Sequence, residues 1–595
     1  MCGISGFNWE DKKLINAMKN SISYRGPDDN GIFTDKNISL GHNRLSIIDL
    51  SKDGHQPMSD DEGQVWIVFN GEIYNYKEIK KDLTKKGYKF NSGSDTEVII
   101  NAYLEYGHDC LSYFNGMFAF AIWDSTKKEL FIARDRLGIK PLYYFEENGR
   151  LIFSSEIKAI LKHDVKREID LNSLNSFFKY RFIANHKTMI NGIKKLLPGH
   201  FAVLRNKKLT IKKYWDVKWN IENKSEDYYI KKLDKTLFSS VKRRLMSDVP
   251  LGAFLSGGLD SSLIVAMNAK LKKEAVKTFT VGFGHETDEF NYAKKVSEHL
   301  STDHHEINLD FKTITKKLPT IVWHMDEPNS DITMVPLYFL SEFAKKKVTV
   351  VNTGEGADEI FSGYEHFKVG AEMFKVVPKF VKGNVYSYYY SPFKKNERQS
   401  LFQNPITNEK NMLRRYLFYK KQGYPKDFLN RILLFDIKNE LPNWQLTRVD
   451  RMTMVHGMEA RVPFLDHEMV ELSASMPVKY KQPNLNGKYI LKKVAQKYLP
   501  RNIVHRKKQG FTTPMHAWMK NNLEDATQSF LFSNKKKFYN YDYITKLLNK
   551  HKMTDKPRPF VRYSYQLMML LFFDIWYEMY INQVSENKIK NMLKI

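Results

Sequence analysis

Cysteine is almost absent: Cys2 and Cys110 are the only two in 595 residues. That excludes a disulfide framework and a cysteine-based zinc site, and it fits a reducing, cytoplasmic compartment. Long apolar runs are missing too. The first twenty residues include Glu10, Asp11, Lys12 and Lys13 and lack the apolar core of a secretory signal. The most apolar late stretch, FVRYSYQLMMLLFFDIWYEMY, is uncharged only from Tyr563 to Phe573. That is well short of the roughly 20 apolar residues of a bilayer-spanning helix, so a buried helix is expected and no integral membrane segment. Acidic residues are in deficit, 67 against 94 basic ones, which leaves a net charge of +27. Basic surfaces attract nucleic acid, anionic membranes and anionic substrates. Here the lysines are scattered in short runs such as KKLDK and SNKKKF, with no aromatic-interleaved basic block. A solvated basic surface without a nucleic-acid partner is therefore expected. Repeats and low-complexity tracts are lacking as well.

What is present divides into two kinds of pattern. The first ~215 residues read as short strands and turns. VWIVFNGEIYN (65–75) is a strand running into a turn at Asn70-Gly71. GMFAFAIWD and KELFIARD read as a hairpin closed by STKK. Helices are predicted over about 76–86 and 96–106, each stopped by a glycine, Gly87 and Gly107. From about residue 226 helices and strands alternate: helix 227–246, strand 249–255, helix 261–273, strand 277–283, helix 289–300, strand 304–309, then helices to about 346 and strand 347–352. This alternation predicts a parallel sheet covered on both faces. The stretch after residue 365 reads as mostly helical. The boundary falls near 215–225, giving expected domains 2–217 and 226–595.

The second half carries LSGGLDSS (255–262) between a strand and a helix. Gly257 and Gly258 permit a tight turn and close approach to an anion, the helix amides favour negative charge, and Ser256, Ser261 and Ser262 add hydroxyls. Asp260 is placed to hold magnesium against phosphates. The G-x-x-x-x-G-K-[ST] pattern of a Walker A loop is missing. The motif instead resembles the pyrophosphate loop of ATP pyrophosphatases, which cleave ATP between the α and β phosphates. A second strand, KVTVVN, runs into TGEGADEIFSGY (353–364), whose Glu355, Asp358 and Glu359 offer carboxylates. In an open parallel sheet both loops face one crevice at the carboxyl ends of the strands.

Together with MCGISGF, YRGPDDNG, RLSIIDL, FNGEIYNY, GSDTEV, RDRLGIKPLYY, RMTMVHGMEARVPFLD and GKYILKKV, these motifs resemble glutamine-hydrolysing asparagine synthetases over nearly the whole chain. The resemblance implies an α/β protein: an α+β N-terminal nucleophile sandwich, then a Rossmann-like ATP pyrophosphatase domain with a helical C-terminal part. It implies removal of Met1, leaving Cys2 as nucleophile and its own α-amine as base, whose pKa of about 7.7–8.0 suits it to take the thiol proton. Asn70 and the Gly71 N–H are then the oxyanion donors, and Arg44 and Asp95 grip the α-carboxylate and α-ammonium of glutamine. Leu45, Ser46, Ile47, Ile48 and Glu72 complete that site. Taken singly, Asn70-Gly71 reads equally as a turn, Asp95 as a helix cap and Arg44 as a surface ion pair.

For the other half the resemblance implies ATP contacts by Leu255, Ser256, Gly257, Gly258, Asp260, Ser261, Ser262, Val281, Thr353 and Gly354. Mg2+ falls to Asp260 and Asp358, acyl-adenylate chemistry to Glu355, and stabilisation of phosphate charge to Lys488. Ammonia is expected to cross an internal tunnel. The acceptor is expected to be aspartate, with a sugar uronate or another carboxylate as the alternative, because DEPNSDITMVPLY (326–338) departs from the aspartate-specific bacterial pattern. That segment has no basic residue, so Arg448, Arg451 and Arg461 are candidate cations, with Asp331 as the acid for an ammonium. Oligomeric state is left open, a homodimer being one candidate.

Overall fold

The computed structural model describes residues 2–285, 288–368, 385–388, 390–404, 423–506, 514–553 and 562–594. The first half contains two six-stranded antiparallel sheets. In spatial order, one runs Lys194–Lys195, Tyr143–Glu147, Arg150–Ser154, Gly3–Phe7, Ile38–Arg44 and Asp29–Asp35. The other runs Lys208–Lys213, His200–Arg205, Glu129–Arg134, Gly116–Asp124, Val65–Ile73 and Met58–Ser59. Alternation along the strands explains the layering. Val68, Ala119 and Ala121 turn inward to meet Ile4, Leu40 and Phe153 of the facing sheet. Their neighbours Ile67, Phe69, Phe118 and Phe120 turn outward onto helices Tyr76–Lys85 and Asp95–Tyr106, through Ile79, Leu83 and Val98. Helix Lys12–Asn20 covers the other outer face, with Ile15 and Met18 against Phe7. The result is a helix–sheet–sheet–helix sandwich.

The expected GMFAFAIWD/KELFIARD hairpin forms, pairing Asp124 with Glu129 and Ala119 with Arg134. The second half has a five-stranded parallel sheet, ordered Asp303–Asn308, Lys277–Gly282, Leu251–Phe254, Val350–Asn352 and Glu459–Arg461. Helices Glu226–Arg243 and Leu259–Leu271 pack together on one face, through Leu233, Leu237, Leu263 and Val265. Helix Met334–Lys345 packs through Tyr338 and Phe339 against Phe279 and Val351. Strand Glu459–Arg461 was not foreseen, since three residues are too few to show a periodicity.

The apolar late stretch forms helix Arg562–Tyr580, whose Trp576 is fully buried; Phe560 and Val561 lie outside the described residues. Among the described residues no helix is long and apolar enough to cross a membrane. One lysine of SNKKKF departs from the solvated reading: Lys536 is buried and paired with Glu578.

The halves are joined by buried charges. Arg25 bonds Glu156 at 2.8 Å and holds Asp450 with two hydrogen bonds of 2.9 and 3.1 Å. Arg451 pairs with Glu156 at 3.0 Å and Asp326 at 3.2 Å, and Lys195 with Glu327 at 3.0 Å. Such pairs are stable only when both members are kept and further hydrogen-bonded.

Candidate active sites

The first centre lies at the ends of strands. Cys2 precedes Gly3–Phe7, and the antiparallel pairing of Gly3 with Asn43 carries Arg44 to its side. The Cys2 α-nitrogen donates to Asn70 Oδ1 at 2.9 Å, and the Cys2 carbonyl accepts from Arg25 Nε at 3.1 Å. Asn70 is fully buried, yet its Nδ2 has no hydrogen-bond partner. Buried amide donors are nearly always paired, so an orphan beside a thiol is a donor awaiting an acceptor. Gly71 has φ 153°, and a Cβ there would lie 2.1 Å from the Met117 carbonyl oxygen, so only glycine fits. Burial pushes the Cys2 thiol above its ordinary value, opposed by a hydrogen bond from the Leu45 backbone and by the Arg44 charge.

Arg44 is buried rather than a surface ion pair. Its Nη1 donates to the Ser51 carbonyl at 2.9 Å and its Nη2 to the Asp49 carbonyl, so it braces the loop carrying Leu45, Ser46, Ile47 and Ile48. Gly54 packs on the guanidinium so closely that a Cβ would come within 1.9 Å of Nη2. The Ser46 amide donates to Asp28 Oδ2 at 2.8 Å. Asp95 is not the helix cap: Ser94 Oγ caps, accepting from Thr96 N at 3.1 Å. The Asp95 carboxylate accepts from Ile73 N at 2.8 Å, and burial pushes its pKa up to about 7. Glu72 is buried, 3.5 Å from Arg461.

The second centre is a cavity of about 720 Å³ at the carboxyl ends of the parallel strands. Leu255, Ser256, Gly258, Asp260, Ser261, Val281, Thr353, Gly354, Glu355, Asp358 and Lys488 line it; Gly257 and Ser262 do not. Gly257 instead permits the turn, with φ 66° and no room for a Cβ against Tyr292. The two glycine loops touch, since a Cβ on Gly354 would lie 2.8 Å from Ser261 N. Lys488 Nζ lies 2.5 Å from Asp260 Oδ2 and 2.7 Å from Asp358 Oδ1. Glu355 bonds Arg448 Nη2 at 2.5 Å, and burial raises its pKa against the pull of that arginine. Glu359, read as a third loop carboxylate, turns away from the cavity to accept from the Tyr364 hydroxyl at 2.6 Å.

The 326–338 segment splits. Asp326 faces the domain interface, accepting from Lys158 N at 3.1 Å and from Arg451, while Asp331 and Thr333 line the cavity. Of the candidate cations only Arg448 lines the cavity. Arg451 is spent on Glu156 and Asp326, and Arg461 bonds Glu459 at 2.6 Å and the Arg244 carbonyl at 2.8 Å. Arg181, Glu440, Trp444, Gln445 and Arg506 line the cavity and were missed. No local motif marks them; Glu440, Trp444 and Gln445 share the segment Asp436–Gln445, and Arg181 and Arg506 come from distant parts of the chain. One helix, Leu446–Met454, serves both centres. Its Arg448 reaches the cavity, and its Asp450 holds Arg25, which holds the Cys2 carbonyl.

A sandwich with the Cys2 thiol beside an orphan amide, joined to a parallel sheet whose glycine loops border a charged cavity, defines an enzyme of two centres. Comparison places it more narrowly. The Glutamine amidotransferase domain model matches residues 1–215 and the Asparagine synthase model residues 232–578. The chain is 33% identical to asparagine synthetase [glutamine-hydrolyzing] 1 of Bacillus subtilis, covering 98% of this chain and 97% of that protein. It is 34% identical to asparagine synthetase [glutamine-hydrolyzing] 3 of the same organism, over 87% of this chain and 88% of the other. It is also 28% identical to the amidase chyE of Penicillium rubens, over 87% and 89%. The chain belongs to the glutamine-hydrolysing asparagine synthetase family.

Proposed function

We propose that this enzyme converts L-aspartate, L-glutamine, ATP and water to L-asparagine, L-glutamate, AMP and pyrophosphate. With Met1 removed, the Cys2 α-amine takes the thiol proton, Sγ attacks the glutamine amide carbon, and the proton leaves with ammonia. The oxyanion is held by Asn70 Nδ2 and the Gly71 N–H, and water then releases glutamate from the thioester. Arg44 and Asp95 hold the glutamine backbone ends. In the cavity the aspartate β-carboxylate attacks the α-phosphorus, pyrophosphate leaves, and ammonia displaces AMP, with Glu355 taking a proton. Lys488 balances phosphate charge.

Two oxygens, Asp260 Oδ2 and Asp358 Oδ1, converge on a single cation, at present the Lys488 ammonium. This hard carboxylate pair fits Mg2+, which takes one or two carboxylates beside substrate phosphates and would neutralise phosphate charge there. Among the described residues no closed group of three side-chain ligands exists.

The observation that carries this reading is the pairing, in one chain, of Cys2 against an unpartnered Asn70 Nδ2 with a glycine-loop cavity containing Glu355 and Lys488. The test is AMP release with glutamine and ATP across a panel of carboxylates. Aspartate-dependent AMP is expected; background AMP with aspartate, beside turnover of a sugar uronate or another carboxylate, would reassign the acceptor. An extra residue left ahead of Cys2 is expected to abolish glutamine use by moving the amine away from the sulfur.

A further inference from the structure

One lining residue of the cavity comes from the other half of the chain. Arg181 ends helix Leu171–Tyr180 in the left-handed conformation, φ 76°, and its side chain lines the cavity. The guanidinium lies over the rings of Tyr390, Trp444 and Tyr565, at 4.9, 5.5 and 5.9 Å. Its Nη2 donates to the Tyr390 carbonyl at 3.2 Å, and among the described residues it has no ion-pair partner. A guanidinium has five N–H donors in a fork that matches a carboxylate, so most of its capacity is unspent.

Glu440 lines the same cavity from the π-helical segment Asp436–Gln445. It is 1% exposed, accepts from the Tyr390 hydroxyl, and likewise has no ion-pair partner among the described residues. Tyr390 therefore ties the two charges into one unit, its carbonyl on Arg181 and its hydroxyl on Glu440. The neighbouring Trp444 has a buried Nε1 without an acceptor. By contrast, Arg448 is already bonded to Asp331 and Glu355, so the cation and acid suggested by the sequence largely satisfy each other. Arg181 and Glu440 feel each other's charge without meeting at ion-pair distance, burial pushes the Glu440 carboxyl up against the pull of that arginine, and a zwitterion seated between them would relieve the cost of both burials.

We propose that Arg181 and Glu440 form the subsite for the amino-acid head of the acceptor, Arg181 taking its α-carboxylate and Glu440 its α-ammonium. This rests on the aspartate reading and deepens it, since a uronate presents no such zwitterion. The experiment measures ammonia-dependent AMP release with aspartate, with succinate, which lacks the ammonium, and with β-alanine, which lacks the α-carboxylate. Arg181→Gln raises the KM for aspartate about 10- to 100-fold, as loss of a charge-assisted contact predicts, without a matching rise in the KM for ATP. It also erases the preference for aspartate over β-alanine, and keeps the preference over succinate. Glu440→Gln does the reverse, and Arg181→Lys recovers part of the loss. An unchanged KM for aspartate, or equal loss of both preferences in both variants, overturns the subsite. The failures are separable: a wild-type enzyme silent with aspartate refutes the acceptor and the subsite together, whereas aspartate turnover indifferent to both substitutions refutes the subsite alone.

Discussion

The two centres are built on different plans. Around Cys2 the candidate side chains stand on or beside the paired strands Gly3–Phe7 and Ile38–Arg44 and the strand Val65–Ile73 of the facing sheet, so one ladder and the packing of the two sheets set their spacing. Their polar groups are mostly satisfied by backbone, as with Arg44 on the Ser51 carbonyl and Asp95 on Ile73 N. The cavity is assembled from loops, a helix and a residue of the opposite half, and its charges are satisfied by one another: Lys488 by Asp260 and Asp358, Arg448 by Asp331 and Glu355. On the proposed function the first centre is therefore preorganised before substrate arrives, whereas the second would exchange internal ion pairs for ligand contacts, which would make its occupancy dependent on substrate charge.

Substitutions that separate the centres test this contrast. Cys2→Ala is expected to lower glutamine-dependent amidation by at least about 10⁴-fold, as loss of a nucleophile does, and to spare ammonia-dependent amidation. Parallel assays with the two nitrogen sources check it, and equal loss in both would merge the centres. Asp260→Asn is expected to reduce AMP formation by about 10²- to 10³-fold while glutamate formation continues, because a neutral amide holds a hard cation poorly. Separate AMP and glutamate assays decide; joint loss would indicate misfolding.

Asn70→Ala is expected to lower the glutaminase kcat by about 10²- to 10³-fold with a smaller change in KM, since in the proposed mechanism its orphan N–H would serve charge that exists only in the transition state. A rise in KM alone would make Asn70 a mere binding group. The bridge between the centres is addressed by Asp450→Ala, which removes one of the two carboxylates that hold the buried Arg25 guanidinium and leaves Glu156 as the other. A loss of about 3–5 kcal/mol is expected in denaturant titration. A rise in glutamate formed per AMP is expected beside it, and an unaltered ratio would limit the pair to stability.

The smallest effect concerns pH. Asp95 has its pKa raised to about 7, so the folded protein binds this proton more tightly than the unfolded chain. Its contribution to stability is therefore present below the ordinary carboxylate range and is lost as pH rises toward 7. An ammonium partner needs the ionised form, so kcat/KM for glutamine is expected to rise with pH through about 7, and Asp95→Asn to flatten that limb. A pH profile of the variant that keeps the same inflection would assign it to another group.

Much of the fold was legible because its signals are local. Alternation in GMFAFAIWD and the glycine stops after two helices depend on neighbours a few residues apart. The glycine loops were legible for the same reason: SGG and TGEG each follow a strand, and their φ requirements are written in the glycines themselves. Asp95 misleads because Ser94, one residue earlier, has the better capping geometry. The segment DEPNSD shows that contiguity does not decide facing. Asp326 and Asp331 are five positions apart, and the interface takes one while the cavity takes the other.

The residues alone therefore determined that Cys2 precedes a strand, that an apolar strand leads into Asn70-Gly71, and that two glycine loops end parallel strands. These are consequences of side-chain volume, backbone freedom and period, each confined to a short stretch. The turn expected at Asn70-Gly71 does not form, because the ladder to Gly116–Asp124 carries that strand on through the pair to Ile73. Only the tertiary structure decided which charges meet. Arg451 and Arg461 read like Arg448, yet burial in the domain interface engages them with Glu156, Asp326 and Glu459, and leaves Arg448 alone of the three in the cavity. Arg181 reaches that cavity from a helix of the other half. Electrostatic partners are chosen by distance and desolvation in space, and neither quantity is carried by separation along the chain.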